Sequence, residues 1–194
     1  MRPEQVIDAF KETDALLEGH FQLTSGLHST VYLQCARVLQ YPDKAESFGK
    51  AIAEHYQGQG ISLVASPAIG GLIIGHEVAR ALGARFIWTE REGGAMTLRR
   101  GFTVSPGEKT LVVEDVITTG GSTRETVEAL KRAGAEVVGA ASIIDRSSGM
   151  SDVGVPRIAL ATLRVQSVEP SNCDACKLGS PVVKPGSRKK KDEG

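Results

Sequence analysis

The sequence predicts an α/β fold with a central, mainly parallel sheet flanked by helices. Three observations predict it. Short apolar runs alternate with helical stretches of about 10 to 12 residues across positions 61–163, the rhythm of βαβ units. Glycines stand just past several helical stretches, where a left-handed cap is wanted. Polar and glycine residues gather just after residues 65, 89, 116 and 144, and in such sheets ligands bind beyond the carboxyl ends of strands.

The elements follow in order. Residues 3–18 carry Val6, Ile7, Phe10, Leu16 and Leu17 at mostly helical spacing, with Pro3 suited to the first turn and Gly19 to the end. Residues 20–40, with Gly26, Tyr32 and several β-branched residues, suggest short strands and turns. Pro42–Gln57 reads as a helix stopped by Gly58 and Gly60. Ile61–Ala65 is a buried strand, Gly71–Leu82 a helix closed by Gly83, and Ala84–Thr89 a strand. Thr89–Phe102 reads as a flexible charged loop between two strands. Thr110–Val116 is a strand, Ser122–Arg132 a helix with Gly134 as its left-handed cap, Glu136–Ile144 a strand, and Ile158–Leu163 one more. No internal repeat interrupts the pattern.

Bulk properties narrow the function class. The chain has 194 residues, enough for one α/β domain with a small elaboration. Its 23 Lys and Arg balance 23 Asp and Glu, so no overall field favours nucleic acid or a membrane surface. The one basic run, Arg188–Lys191, reads as a solvated, frayed tail. No apolar run approaches the roughly 20 residues that span a bilayer, and no apolar segment follows Met1–Gln5. A soluble, cytoplasmic protein is expected. Three cysteines, an odd number, argue against a disulfide framework.

One stretch concentrates chemistry: Val112–Thr123, reading VVEDVITTGGST. A strand ends on Glu114 and Asp115. Val116, Ile117, Thr118, Thr119, Gly120, Gly121, Ser122 and Thr123 then turn into a helix. Such a turn offers backbone N–H groups, hydroxyls and the positive end of a helix dipole, a phosphate-sized anion site. The two carboxylates cannot hold the same phosphate. They suit sugar hydroxyls that donate hydrogen bonds, or positive charge building on a sugar carbon. Arg146, directly after a strand where ligands sit, has a planar fork that can bond two acceptors in one plane; a surface pair with Asp145 is its plain alternative. Ser66–Gly71 (SPAIGG) links a strand to a helix with backbone amides open to a diphosphate.

This stretch resembles the phosphoribosyl diphosphate (PRPP) motif of type I phosphoribosyltransferases. It is neither a Walker A loop, lacking the lysine after the glycines, nor a GxGxxG fingerprint. Further segments are similar to the orotate phosphoribosyltransferase family, in particular a shorter bacterial variety: Gly19–Tyr32, Ser66–Gly71, Thr89–Phe102, Ile144–Arg146 and Cys173–Arg188. The resemblance implies a type I phosphoribosyltransferase fold with a small N-terminal hood, built from about residues 1–40 and the C-terminal segment. It implies a single domain over 1–184 and a flexible tail over 185–194. The implied reaction converts orotate and PRPP to orotidine 5′-monophosphate and pyrophosphate, for pyrimidine synthesis, with Mg²⁺ arriving mainly on PRPP and water. Asp115, Glu114 and Arg91 are the implied catalytic residues. Residues 114–123 bind PRPP together with Ile69, Gly70 and Arg91; Thr118, Arg146, His28 and Ser25 bind orotate. The 89–102 loop would reach a neighbouring subunit's site, hence a homodimer.

Two departures stand out. Gly70 occupies a place where better-known members carry lysine, and the 89–102 segment is short, its basic residues all arginines. The general acid is therefore left unassigned. Two other functions fit the same loop: transfer to a purine or uracil, and a PRPP-sensing regulator without activity. Neutral composition and the lack of spare chain for a helix-turn-helix weigh against the regulator. His20, His55 and His76 receive no role, and Trp88 reads as core. Cys173 and Cys176 form a CxxC pair open to three readings: plain structure, redox chemistry, or a metal shared across a dimer, for which Cys35 is one distant candidate ligand.

Overall fold

The structure, a computed structural model, describes residues 1–23, 25–165 and 167–185. In chain order the elements are α1 (Pro3–Glu12), β1 (Leu16–Gln22), β2 (His28–Leu33), α2 (Cys35–Leu39), α3 (Pro42–Glu54), β3 (Leu63–Pro67), α4 (Leu72–Leu82), β4 (Arg85–Glu92), β5 (Ala95–Leu98), β6 (Lys109–Ile117), α5 (Gly121–Arg132), β7 (Glu136–Asp145), β8 (Arg157–Thr162), β9 (Ser167–Val168) and α6 (Asp174–Lys177). They form two compact units. The first comprises Met1–Ala15 and Cys35–Arg164, the second Leu16–Gln34 and the chain from Val165 on. The basic run at 188–191 lies outside the described residues.

The first unit is built on a six-stranded sheet in the order β5-β4-β3-β6-β7-β8. All its pairings are parallel except β4 with β5. Parallel strands covered on both faces read as continuous apolar runs, and every residue of β3 is buried. Leu63, Ala65, Ile87, Val112 and Ala140 share one core cluster with Val127 and Leu130 of α5. The chain leaves β3 toward β4 on one side and resumes at β6 on the other. Strand order therefore reverses between β3 and β6, and a crevice opens there at the carboxyl ends. The segments after β3 and β6 are Ser66–Gly71 and the PRPP-like loop.

Three elements differ from the sequence reading. The first helix stops at Glu12 rather than running to 18. Thr13 turns its Oγ1 back to the Ala9 carbonyl at 2.8 Å, and Asp14 takes a left-handed φ of 50°. Leu16, Leu17 and Gly19 consequently enter β1. Cys35–Leu39 is a short helix where strands and turns are expected. Most of the charged 89–102 stretch is a hairpin, β4 and β5 pairing Thr89 with Leu98 through Glu92 with Ala95. Gly93 and Gly94, with φ of 58° and 87°, form the two-residue turn that matches strand twist and demands left-handed residues.

The second unit holds a three-stranded antiparallel sheet, β1-β2-β9. Val183 pairs with its edge, its N–H donating to the His20 carbonyl and its own carbonyl accepting from Gln22.

Candidate active site

The PRPP-like loop follows β6 because that strand runs apolar up to Val113 and then changes character. Glu114 is buried and Asp115 half-buried. Gly120 takes a left-handed φ of 79° as the residue before α5, which lets the chain fold tightly from Thr119 into the helix. Glu114 and Val116–Thr123 line a cavity of about 70 Å³. Liquid water occupies roughly 30 Å³ per molecule, so this space suits one tetrahedral oxyanion. Beside it a shallow depression is shared by Thr118–Gly121, Arg124 and the segment Ser147–Asp152. The Ser151 hydroxyl donates to the Thr118 carbonyl at 2.7 Å, bracing the loop from that side.

The acidic pair is strongly coupled. Burial, then the charge of Asp115, pushes Glu114 up to about 9. Burial also raises Asp115, although the Val116 N–H donating to its Oδ1 at 2.8 Å opposes the rise. At neutral pH the pair therefore retains a proton. The thiol of Cys35, from α2, is raised well above its ordinary value by burial and then by the charge of Asp115. A Cβ on Gly70 would lie 2.7 Å from Asp115 Oδ1. Glycine at 70 thus lets the Ser66–Gly71 segment and the acidic pair touch. A lysine there would displace the carboxylate.

This arrangement has a measurable consequence. Ribose hydroxyls donate hydrogen bonds and favour ionised carboxylates. Binding of a ribose 5-phosphate at neutral pH should release a proton from the acidic pair, and affinity should rise with pH up to about 9. Calorimetry in buffers of different ionisation enthalpy reads the proton directly, and Glu114→Gln should abolish it. For folding the sign is opposite. A carboxyl raised from 4.5 to about 9 holds a proton that the unfolded chain lacks. Its contribution to stability therefore falls as pH rises across that interval.

At the neighbouring strand end, the Arg146 N–H donates to the Ile117 carbonyl at 2.8 Å. This fastens the end of β7 to the start of the loop. The Arg146 charge acts on the Cys35 thiol, opposing its rise. Asp145 is paired with Arg157 instead, at 3.2 Å. It also accepts the Ser147 N–H and hydroxyl and the Gly149 N–H at 2.6–2.8 Å. Burial raises Asp145, but these bonds outweigh it and hold the carboxyl below its ordinary value. Asp145 and Arg157 thus shape the 146–152 segment, a role that sequence reading missed although the Asp-x-Ser spacing signals a local turn. Asp145→Ala should cost roughly 3–5 kcal/mol by stranding a half-buried arginine. Urea unfolding at pH 7 checks this, and the difference should vanish as pH falls below Asp145's depressed pKa.

Arg91 lies on the hairpin. Its guanidinium pairs with Glu125 of α5 at 2.9 Å and donates to the Gly94 carbonyl at 2.6 Å. Arg100 pairs with Glu90 and lies over Trp88, 5.8 Å from the ring centroid. Ile69 is 82% exposed at the tip of the β3–α4 connection. Ser25 and His28 belong to the second unit, Ser25 exposed and His28 buried. There His28 Nδ1 stands 2.8 Å from His20 Nε2.

The sequence also matches known proteins. The family model for the phosphoribosyl transferase domain covers residues 37–158. Orotate phosphoribosyltransferase of Pelotomaculum thermopropionicum is 54% identical over 189 residues, covering 97% of this chain and 100% of that protein. The same enzyme from Caldicellulosiruptor bescii is 53% identical over 190 residues, covering 98% and 100%. Among solved structures, orotate phosphoribosyltransferase from Aeropyrum pernix superposes with a TM-score of 0.68 at 27% identity, over 82% of this chain and 94% of that one. With an oxyanion-sized loop and a coupled acidic pair at its switch point, and with relatives matching it almost end to end, the chain belongs to the phosphoribosyltransferase family, in its orotate phosphoribosyltransferase branch.

Proposed function

We propose that this chain transfers the 5-phosphoribosyl group from PRPP to orotate, giving orotidine 5′-monophosphate and pyrophosphate. The observation that carries the reading is the acidic pair Glu114–Asp115 set between the oxyanion cavity and the Ser66–Gly71 segment. Thr118–Thr123 hold the 5-phosphate, and that remote anchor positions the anomeric carbon. Glu114 and Asp115 receive the ribose hydroxyls and stabilise the positive charge that builds on the ring as the bond to diphosphate breaks. The backbone at Ile69 and Gly70 faces the diphosphate, and Arg91, carried on the 89–102 segment of a neighbouring subunit, neutralises it. Arg146 and Thr118 take orotate. Ser25 and His28 of the second unit complete the orotate set of this reading, His28 through its Nε2, since its Nδ1 faces His20.

Magnesium fits this donor set as a companion of the substrate. Asp115 already accepts a backbone N–H and Glu114 is hydrogen-bonded to it, so the pair leaves few oxygens for an octahedral ion. Mg²⁺ commonly binds through substrate phosphates and water with one or two carboxylates. When bound, it would offset the charge of the leaving diphosphate. The same reading carries a homodimer, with the 89–102 segment reaching a neighbouring site, and a cytoplasmic location. No helix among the described residues is long and apolar enough to cross a membrane.

Incubation with orotate, PRPP and Mg²⁺ tests the proposal. Orotidine 5′-monophosphate and pyrophosphate should form in equal amounts. Folded protein that makes neither would refute it.

A further inference from the structure

The second unit gathers four metal-ligating side chains at one point. His20, His28, Cys173 and Cys176 place one ligand atom each within 4.8 Å of all the others. His20 Nε2 stands 2.8 Å from His28 Nδ1, 3.4 Å from Cys173 Sγ and 3.6 Å from Cys176 Sγ. His28 Nδ1 and Cys176 Sγ are 3.2 Å apart. Bonds of about 2.0–2.3 Å around a tetrahedral zinc put neighbouring ligand atoms roughly 3.3–3.8 Å apart. The distances from His20 Nε2 to the two thiols, 3.4 and 3.6 Å, are of that size, and the 2.8 and 3.2 Å contacts of His28 Nδ1 need to open by only a few tenths of an ångström to admit the ion.

The backbone aims these groups at one point. The pairing of β1 with β2 shifts register between Glu18 and Phe21, and such a bulge re-aims the side chains within it, here His20. His28 opens β2 and pairs with Val168 of β9. Cys173 precedes α6 and Cys176 lies one turn on, so both thiols face the same side.

Hydrogen bonding alone satisfies the cluster poorly. The Ser180 carbonyl lies 2.9 Å from His20 Nδ1 and accepts its proton, which leaves a single lone pair on Nε2. Three groups converge on that lone pair. A cation at the centre would satisfy all four ligands at once. The carbonyl behind His20 is the outer partner that metal-bound histidines usually have.

We propose that His20, His28, Cys173 and Cys176 form a structural Cys₂His₂ zinc site within one chain. The ion ties Cys176 to His28 and His20, 148 and 156 residues away in sequence. It staples a unit made of two short stretches with a three-stranded sheet, too small to rely on a core alone. Four ligands close the coordination shell, so the site holds no open position for chemistry. The CxxC pair thus acquires its partners from histidines of the same chain rather than from Cys35 or a second subunit.

Elemental analysis of the full-length protein, purified under reducing conditions, should find one zinc per chain. Stripped protein titrated with Co²⁺ alone should show the intense visible bands of a tetrahedral ion and a thiolate charge-transfer band in the near ultraviolet. Both signals should be lost in Cys176→Ser and His20→Ala and kept in Cys35→Ser. Wild-type cobalt spectra stand on their own if the variants fail to fold. Folded wild-type protein that takes up no tetrahedral cobalt, a Cys173–Cys176 disulfide in that protein, or undiminished zinc in Cys176→Ser would each overturn the proposal.

Discussion

Asp115→Asn is expected to lower kcat for phosphoribosyl transfer by on the order of 10²–10³-fold, with every acceptor base, while the fold stays intact. Asparagine keeps the shape of the side chain and an oxygen for the Val116 N–H. It cannot carry the negative charge that faces the developing positive charge on the ribose, and losing one preorganised electrostatic partner typically costs that much. Stability should be unchanged or rise, because the substitution removes a carboxylate whose ionisation is opposed by burial. Glu114 should also ionise more readily, since the Asp115 charge is one of the causes that raise it. Rates with saturating PRPP, measured beside thermal melts, separate these effects. A variant within about tenfold of the parent would show that the charge is dispensable.

Arg146→Ala is the second large effect, and a selective one. The kcat/KM for orotate should fall by roughly 10²–10³-fold, mostly through KM, because a polar site built around a carboxylate would lose its paired cation. PRPP affinity should hardly move, since the 5-phosphate loop braces itself through Ser151 and Thr118. Arg146→Lys should recover little, as an ammonium cannot reproduce the planar fork. Equal losses for PRPP and orotate would place Arg146 in general loop support instead.

Much of this architecture is legible in the residues. The βαβ rhythm, the glycine past α4 and the Glu-Asp-to-Gly-Gly passage each reflect local physics: burial on both faces, left-handed caps, and backbone free to wrap an anion. The hairpin at 85–98 is harder to read. Its strands carry Glu90, Arg91 and Glu92, and a solvated edge pair looks like a loop until the Gly93–Gly94 turn is taken as the signal. The end of α1 is hidden because Leu16 and Leu17 continue the apolar content of the helix, while a single back-bonded threonine and a left-handed aspartate stop it. Contacts between distant segments leave no local trace. Asp145 finds Arg157 across a loop. His20 finds Cys173 at a separation of 153 residues, and nothing near either one announces the other.

The central claim is that an acidic pair beside an oxyanion loop serves transfer to orotate. Pyrophosphate release from PRPP, measured in parallel with orotate, uracil, adenine and xanthine, tests it most directly. Release should be fast with orotate alone and near background with the other three. Turnover of a purine or uracil without turnover of orotate, or no release with any base, would contradict it.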